Sequence, residues 1–151
     1  KVIVDYPSEN EELSILQKMS SLTEKVNIKP IVNSKQILKA RKTIDQIHVA
    51  ENLQKYIVSL VFATREPERF NLNDLKGLIN YGASPRATLF LVQAAKALAF
   101  INHRGYIVPE DIRNVGMAIL RHRVILSFEA EAEEINTDEI VTRIFESVPT
   151  P

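Results

Sequence analysis

A chain of 151 residues, 45% hydrophobic and 25% charged, has the composition of an ordinary globular domain and the length to bury a core. Its 19 basic side chains balance 19 acidic ones, which argues against nucleic-acid and anionic-membrane partners and leaves open only a local basic patch. With no cysteine, no bilayer-length apolar run and no signal-peptide pattern, disulfide, thiolate and membrane chemistry are excluded and a soluble, cytoplasmic protein is expected.

The opening Lys1-Val-Ile-Val-Asp5 alternates as a strand does, with no partner strand evident soon after it, so a piece that begins inside a larger fold is expected. Tyr6-Pro7 then turns the chain. Ser8 and Glu11 have the spacing of a capping box, which starts a helix with Leu13, Ile15, Leu16 and Met19 on its apolar side. A polar, β-branched stretch over residues 27–33, with Pro30 inside it, reads as an interhelical loop or a short extended crossing. Ser34 is expected to cap the next helix, with Ile37, Leu38, Ile44 and Ile47 as candidate core residues.

From about Ala50, Leu53, Ile57, Leu60, Val61 and Thr64 recur at spacings of three and four, one face of a helix that Arg65-Glu66-Pro67 ends. Residues 70–82 hold two of the four glycines and little periodicity, which predicts a loop with one short helical turn near residues 74–79. Ser84-Pro85 is a strong helix start, because serine can accept from the first turn and proline has no N–H to leave unpaired. Leu89, Val92, Ala95, Leu98, Phe100 and Ile101 continue that helix, and Gly105 is expected to stop it.

Val108-Pro109-Glu110-Asp111 repeats the same kind of start with two carboxylates at the positive end of the helix dipole, followed by Ile112, Val115, Ile119 and Leu120. Arg121-His122-Arg123 closes that helix with cations. Val124-Ile125-Leu126 reads as a short strand and residues 129–134 as an acidic solvated link. Thr137 is expected to cap a last helix built on Ile140, Val141, Ile144 and Phe145.

Gly77-Leu-Ile-Asn-Tyr-Gly82-Ala83-Ser84 has the glycine spacing of a phosphate-binding loop, but Ala83 stands where a lysine must reach the β- and γ-phosphates. The segment before it is a poor strand, and no run of apolar residues ending in Asp-Glu supplies a Walker B carboxylate. His48, His103 and His122 show no ligand spacing, so no metal site is expected. Arg86 is the more informative residue. It sits in the first turn of a helix, where a cation opposes the dipole at about 0.3–1 kcal/mol, and a guanidinium beside helix N–H groups can bind a phosphate oxygen. A solvated surface arginine is the plainer alternative.

Gly82-Ala83-Ser84-Pro85-Arg86-Ala87 resembles the second sensor motif of MoxR-family AAA+ ATPases, with Tyr106-Ile-Val-Pro-Glu-Asp-Ile112 and Leu120-Arg-His-Arg123 following at family-like distance. Upstream, Val2-Ile-Val-Asp-Tyr-Pro-Ser8 with Glu11-Glu12 is similar to the family's passage from the ATPase core into the lid, so the resemblance covers essentially the whole chain. It implies an all-α helical-bundle AAA+ lid domain with a short N-terminal strand left over from the core, residues 1–7 being core end and hinge and residues 8–151 the lid. It further implies that Arg86 reaches the γ-phosphate of ATP as the catalytic and sensing residue, with Ser84 and Pro85 at the nucleotide and Tyr6 near adenine. By the same resemblance the intact protein would hydrolyse ATP with Mg²⁺, while the chain alone, lacking both Walker motifs, would neither bind the cofactor nor turn it over. Its expected partners are its own N-terminal ATPase core, further copies in a ring expected to be a hexamer, and client proteins with von Willebrand factor A domains. Arg65 and the Arg121-His122-Arg123 cluster could face nucleotide or a neighbouring subunit, or merely complement helix dipoles. Two other classes stay open: a helix-turn-helix DNA-binding or adaptor module using the Pro85 and Pro109 helices, and a free-standing enzyme, for which no nucleophile and base can be assembled.

Overall fold

The computed structural model describes residues 3–20 and 28–151, which fall into two compact units, residues 2–39 and residues 40–151. In the first unit, α1 (Glu9–Met19) begins with half of the expected capping box: Glu11 Oε2 accepts from the Ser8 N–H at 2.8 Å and from its hydroxyl at 2.7 Å, so the hydroxyl is spent on Glu11 instead of on a backbone N–H. Those two bonds hold the Glu11 carboxyl below its ordinary pKa. No residue of α1 is buried, so the apolar side expected at Leu13, Ile15, Leu16 and Met19 is left half or more exposed. The strand expected at the start is absent from residues 3–8, which carry no regular structure; Lys1 and Val2 lie outside the described residues. A strand is held by a neighbour's ladder, and no strand among the described residues pairs with residues 3–8.

The division between the units falls within α2 (Ser34–Asp45). Its cap is Asn33 rather than Ser34: Asn33 Oδ1 accepts from Gln36 N–H at 2.9 Å, and Gln36 returns the bond to Asn33 N–H at 2.8 Å. The reciprocal pair satisfies two donors at once, which a serine one position later could not do at that spacing. Ile37 and Leu38 remain exposed, whereas Ile47, just past the helix, is buried.

The second unit is a helical bundle. α3 (Glu51–Ala63) packs on α4 (Pro85–Ile101), α4 packs most extensively on α5 (Pro109–Leu120), and α7 (Thr137–Ser147) closes over α5 and α3. The predicted face of α3 is the buried one, with Ile57, Leu60, Val61 and Thr64 fully enclosed. In α4 the buried line is instead Ala87, Leu91, Ala95 and Ala99, one residue every turn, while Leu89 and Ile101 are more than 60% exposed. Small side chains at i and i+4 let a neighbouring helix come close, so alanine occupies the contact and the larger residues are displaced to its flanks. Gly116 of α5 has a similar cause, because a Cβ there would collide with the Phe145 ring of α7.

Residues 70–82 are more structured than expected. Two 3₁₀ turns, Pro67–Phe70 and Asn73–Leu75, lead into β1 (Ile79–Tyr81), which pairs antiparallel with β2 (Ile125–Leu126) at the expected short strand. The acidic link is also partly helical, as α6 (Phe128–Ala132), started by Ser127 Oγ accepting from Ala130 N–H at 3.3 Å. Asn136, not Thr137, caps α7, its Oδ1 accepting from Glu139 N–H at 3.0 Å. α4 ends at Ile101, four residues before Gly105; His103 follows in the left-handed conformation (φ 56°), with Arg104 N–H bonded back to Ala99 O at 2.9 Å.

That turn delivers Arg104 to Asp111 in a fork of two bonds at 2.7 and 2.5 Å, while Asp111 also accepts from Val108 N–H at 2.9 Å. Asp111 is 1% exposed. Burial pushes its carboxyl up, but the Arg104 hydrogen bonds and charge and the Val108 N–H outweigh burial and leave it below the ordinary carboxylate value.

Candidate functional site

The start of α4 is fixed by the end of α3. Thr64, fully buried, donates its hydroxyl to Val61 O at 2.7 Å and accepts from Ala83 N–H at 2.8 Å, and Arg65 Nε donates to Ala83 O at 2.7 Å. Both backbone groups of Ala83 are thereby clasped. The approach requires glycine at 82, where a Cβ would run into the Thr64 carbonyl. Ser84 then takes the N-cap position and Pro85 the first helical one, as the sequence predicts. The Ser84 side chain makes no capping bond, however; its backbone carbonyl accepts from Ala87 N–H at 2.8 Å, a tight first turn that dispenses with the hydroxyl.

A cleft of about 840 Å³ opens between these two helices, floored by Val58, Phe62 and Leu89 and rimmed by Arg65 and Arg86. The Arg86 guanidinium carbon lies 5.6 Å from the centroid of Phe90, and Arg123 reaches the same ring at 4.9 Å. Arg65 stands 5.0 Å over Phe62, with Arg69 at 6.0 Å from that ring. Among the described residues Arg65, Arg86 and Arg123 have no carboxylate within ion-pair distance, whereas Arg69, Arg104, Arg121 and Arg143 pair with Glu66, Asp111, Asp138 and Asp74. The cleft therefore combines an apolar floor with positive charge that the fold does not neutralise. Such a site suits an anion attached to an apolar or aromatic body.

Of the expected site residues, Pro85 and Arg86 line the cleft together with Arg65, whereas Ser84 sits at the N-cap of α4 and does not line it. The cluster at residues 121–123 separates: Arg121 is taken by Asp138 at 2.7 Å, while Arg123 faces Phe90 and lies 2.5 Å from His122 Nε2. Tyr6 belongs to the first unit and is 99% exposed. His48 and His103 serve the backbone, His48 through bonds to Gly105 and Ile107, and no group of three or more potential metal ligands occurs among the described residues. Sequence reading missed Phe62 and Phe90. Their signal is spacing, since Phe90 stands four residues after Arg86 and Phe62 three before Arg65, both within side-chain reach on a helix.

A family model described as an AAA lid domain matches residues 75–144, a span that contains β1, the clasped Gly82-Ala83 and the whole of α4 and α5. The "Chaperone MoxR1" of Mycobacterium tuberculosis is 36% identical over all 151 residues, which is 100% of this chain and 40% of that protein. The chain belongs to the MoxR-type AAA+ lid domains. A "Protein MoxR" from Methylorubrum extorquens is 42% identical over 76 residues, 49% of this chain and 22% of that protein. A crystal structure of a candidate ATPase from Cytophaga hutchinsonii superposes with a TM-score of 0.92 at 40% identity, over 98% of this chain and 45% of that one. The lid thus spans less than half the length of these relatives. Within the MoxR-type lid, the second-sensor resemblance falls on the one arginine of α4, at the mouth of the cleft. No helix among the described residues is long and apolar enough to cross a membrane.

Proposed function

We propose that this domain is the nucleotide-responsive lid of a longer AAA+ ATPase, residues 1–7 leading out of the ATPase core and residues 8–151 forming the lid, and that Arg86 binds the γ-phosphate of ATP held on that core. The observation that carries this reading is the unpaired Arg86 guanidinium in the first turn of α4, on the rim of an apolar cleft. A phosphate oxygen placed there receives charge-assisted bonds from Arg86 and favourable interaction with the helix dipole, which the fold otherwise sets against the arginine. ATP then favours a closed lid, and loss of the γ-phosphate removes the anchor, a population shift driven by differential affinity for the two states. Arg65 is a second cation on the same rim.

ATP hydrolysis and Mg²⁺ binding are assigned to the core, since the sequence of the lid has no Walker motif and its described residues hold no cluster of three or more potential metal ligands. In the same reading the protein works in the cytoplasm as a ring of copies, a hexamer, remodelling client complexes as a chaperone does, clients with von Willebrand factor A domains among them. The test is steady-state ATP turnover of the full-length protein and its Arg86→Ala variant at saturating ATP. A loss of about 100-fold or more, the scale for removing a transition-state charge donor, is the expected result. Undiminished turnover would return Arg86 to an ordinary surface residue.

A further inference from the structure

Phe90 is not accounted for by the core. It is half-buried, lies outside the cluster of packed apolar side chains, and forms the ridge between the 840 Å³ cleft and a second cavity of about 380 Å³ that contains His122 and Arg123. Instead its ring carries two guanidinium groups, from Arg86 one helical turn before it and from Arg123 beyond the end of α5. Neither arginine has a carboxylate partner among the described residues, and Arg123 is tethered by donating to Ile119 O at 2.5 Å.

We propose that Phe90 is a positioning residue for Arg86, its ring holding the guanidinium on the cleft rim so that the arginine meets a phosphate without first being ordered. The proposal rests on the reading of Arg86 as the phosphate-sensing group. An arginine in the first turn of a helix is disfavoured by the dipole and free to sample many rotamers, and both effects lower the fraction of time it is aimed at the cleft. A ring at i+4 lies within reach, and cation–π attraction at an exposed site shifts that fraction by about two- to fivefold. Arg123, anchored to a different helix, contacts the same ring and limits its movement, so the start of α4 is linked to the end of α5 through one aromatic side chain.

The experiment is ATP turnover, ADP affinity and thermal melting of the full-length protein carrying Phe90→Leu, Phe90→Trp, Arg86→Ala and the Phe90→Leu/Arg86→Ala pair. Phe90→Leu is expected to lower kcat about three- to fivefold with melting and ADP affinity unchanged, and Phe90→Trp, which keeps a π face, to restore it to within twofold. In the Arg86→Ala background Phe90→Leu should cost nothing further, because there is no guanidinium left to position. Unchanged turnover in Phe90→Leu, or losses that multiply in the double variant, would overturn the role of Phe90 while leaving Arg86 as the sensor. Full turnover in Arg86→Ala alone would overturn the sensor reading and this inference with it. Should Phe90→Leu melt early, Arg123→Gln carries the same test from outside α4: a loss of about twofold that disappears in the Arg86→Ala background supports the link, and no loss contradicts it.

Discussion

The two ends of α4 handle the same side chain in opposite ways. At its start Arg86 is exposed, has no carboxylate partner among the described residues and rests on an aromatic ring. Just past its end Arg104 closes a two-bond fork on Asp111, which is 1% exposed and also ties down Val108. The paired arginine holds the turn between α4 and α5 in place. The unpaired one has no carboxylate to hold and leaves the hydrogen-bonding capacity of its guanidinium unused by ion pairs among the described residues. Similar composition at two ends of one helix thus separates a group that stabilises the fold from one available to a ligand, and the difference lies in the partner, not in the residue type.

That contrast can be broken at the paired end first. Asp111→Ala leaves Arg104 without its partner and Val108 N–H without an acceptor, and should destabilise the domain by about 3 kcal/mol, measured by chemical denaturation. The same pair has a pH signature. Because the Asp111 carboxyl lies below its ordinary value of 3.8 in the folded state, its contribution is complete above that value and is lost as pH falls through the lower folded value. Wild type should therefore lose stability on acidification below about pH 4 more steeply than Asp111→Asn, with no difference in slope between pH 5 and 7 from this group.

Gly82→Ala is expected to cost about 2 kcal/mol, since the added methyl must push the Gly82-Ala83 loop off the Thr64 carbonyl, and it should disturb the cleft as well as the melting curve. The smallest effect belongs to Arg86→Ala. Relief of the dipole penalty, about 0.3–1 kcal/mol, and loss of the ring contact, about 0.5–1 kcal/mol, nearly cancel, so its stability should stay within about 0.5 kcal/mol of wild type. A large destabilisation by Arg86→Ala would erase the contrast between the two ends.

Much of this arrangement could be read from spacing. The buried face of α3 from Leu53 to Thr64 and the Ile140, Val141, Ile144, Phe145 face of α7 are local periodicities and occur as expected, and α4 starts at Ser84-Pro85 as expected, though without the bond from the Ser84 hydroxyl. The readings that shifted depend on what lies across the chain. β1 is three residues long, too short for alternation to show, and exists because residues 125–126 pair with it. The alanine line of α4 reflects close approach by α5, which hydrophobicity alone ranks below Leu89. Asn33 beside Ser34 and Asn136 beside Thr137 are adjacent cap-competent residues, and the residue three positions on, Gln36 or Glu139, decides between them. In the site, Arg86 is legible through its place in the first turn of the helix that Ser84-Pro85 starts. Phe90 and Thr64 are not legible as site residues, because a helical phenylalanine and a threonine on a buried face look like ordinary core until the cleft beside Phe90 and the bond from Ala83 to Thr64 are seen.

Whether Arg86 reports a γ-phosphate, as proposed, is read from the ratio of affinities for a non-hydrolysable ATP analogue and for ADP in full-length wild type and Arg86→Ala. The account predicts that the variant loses about tenfold or more of the preference for the triphosphate while its ADP affinity stays within twofold, as expected when one charge-assisted contact to a single phosphate is removed. An unchanged triphosphate preference, with the fold intact, would contradict it.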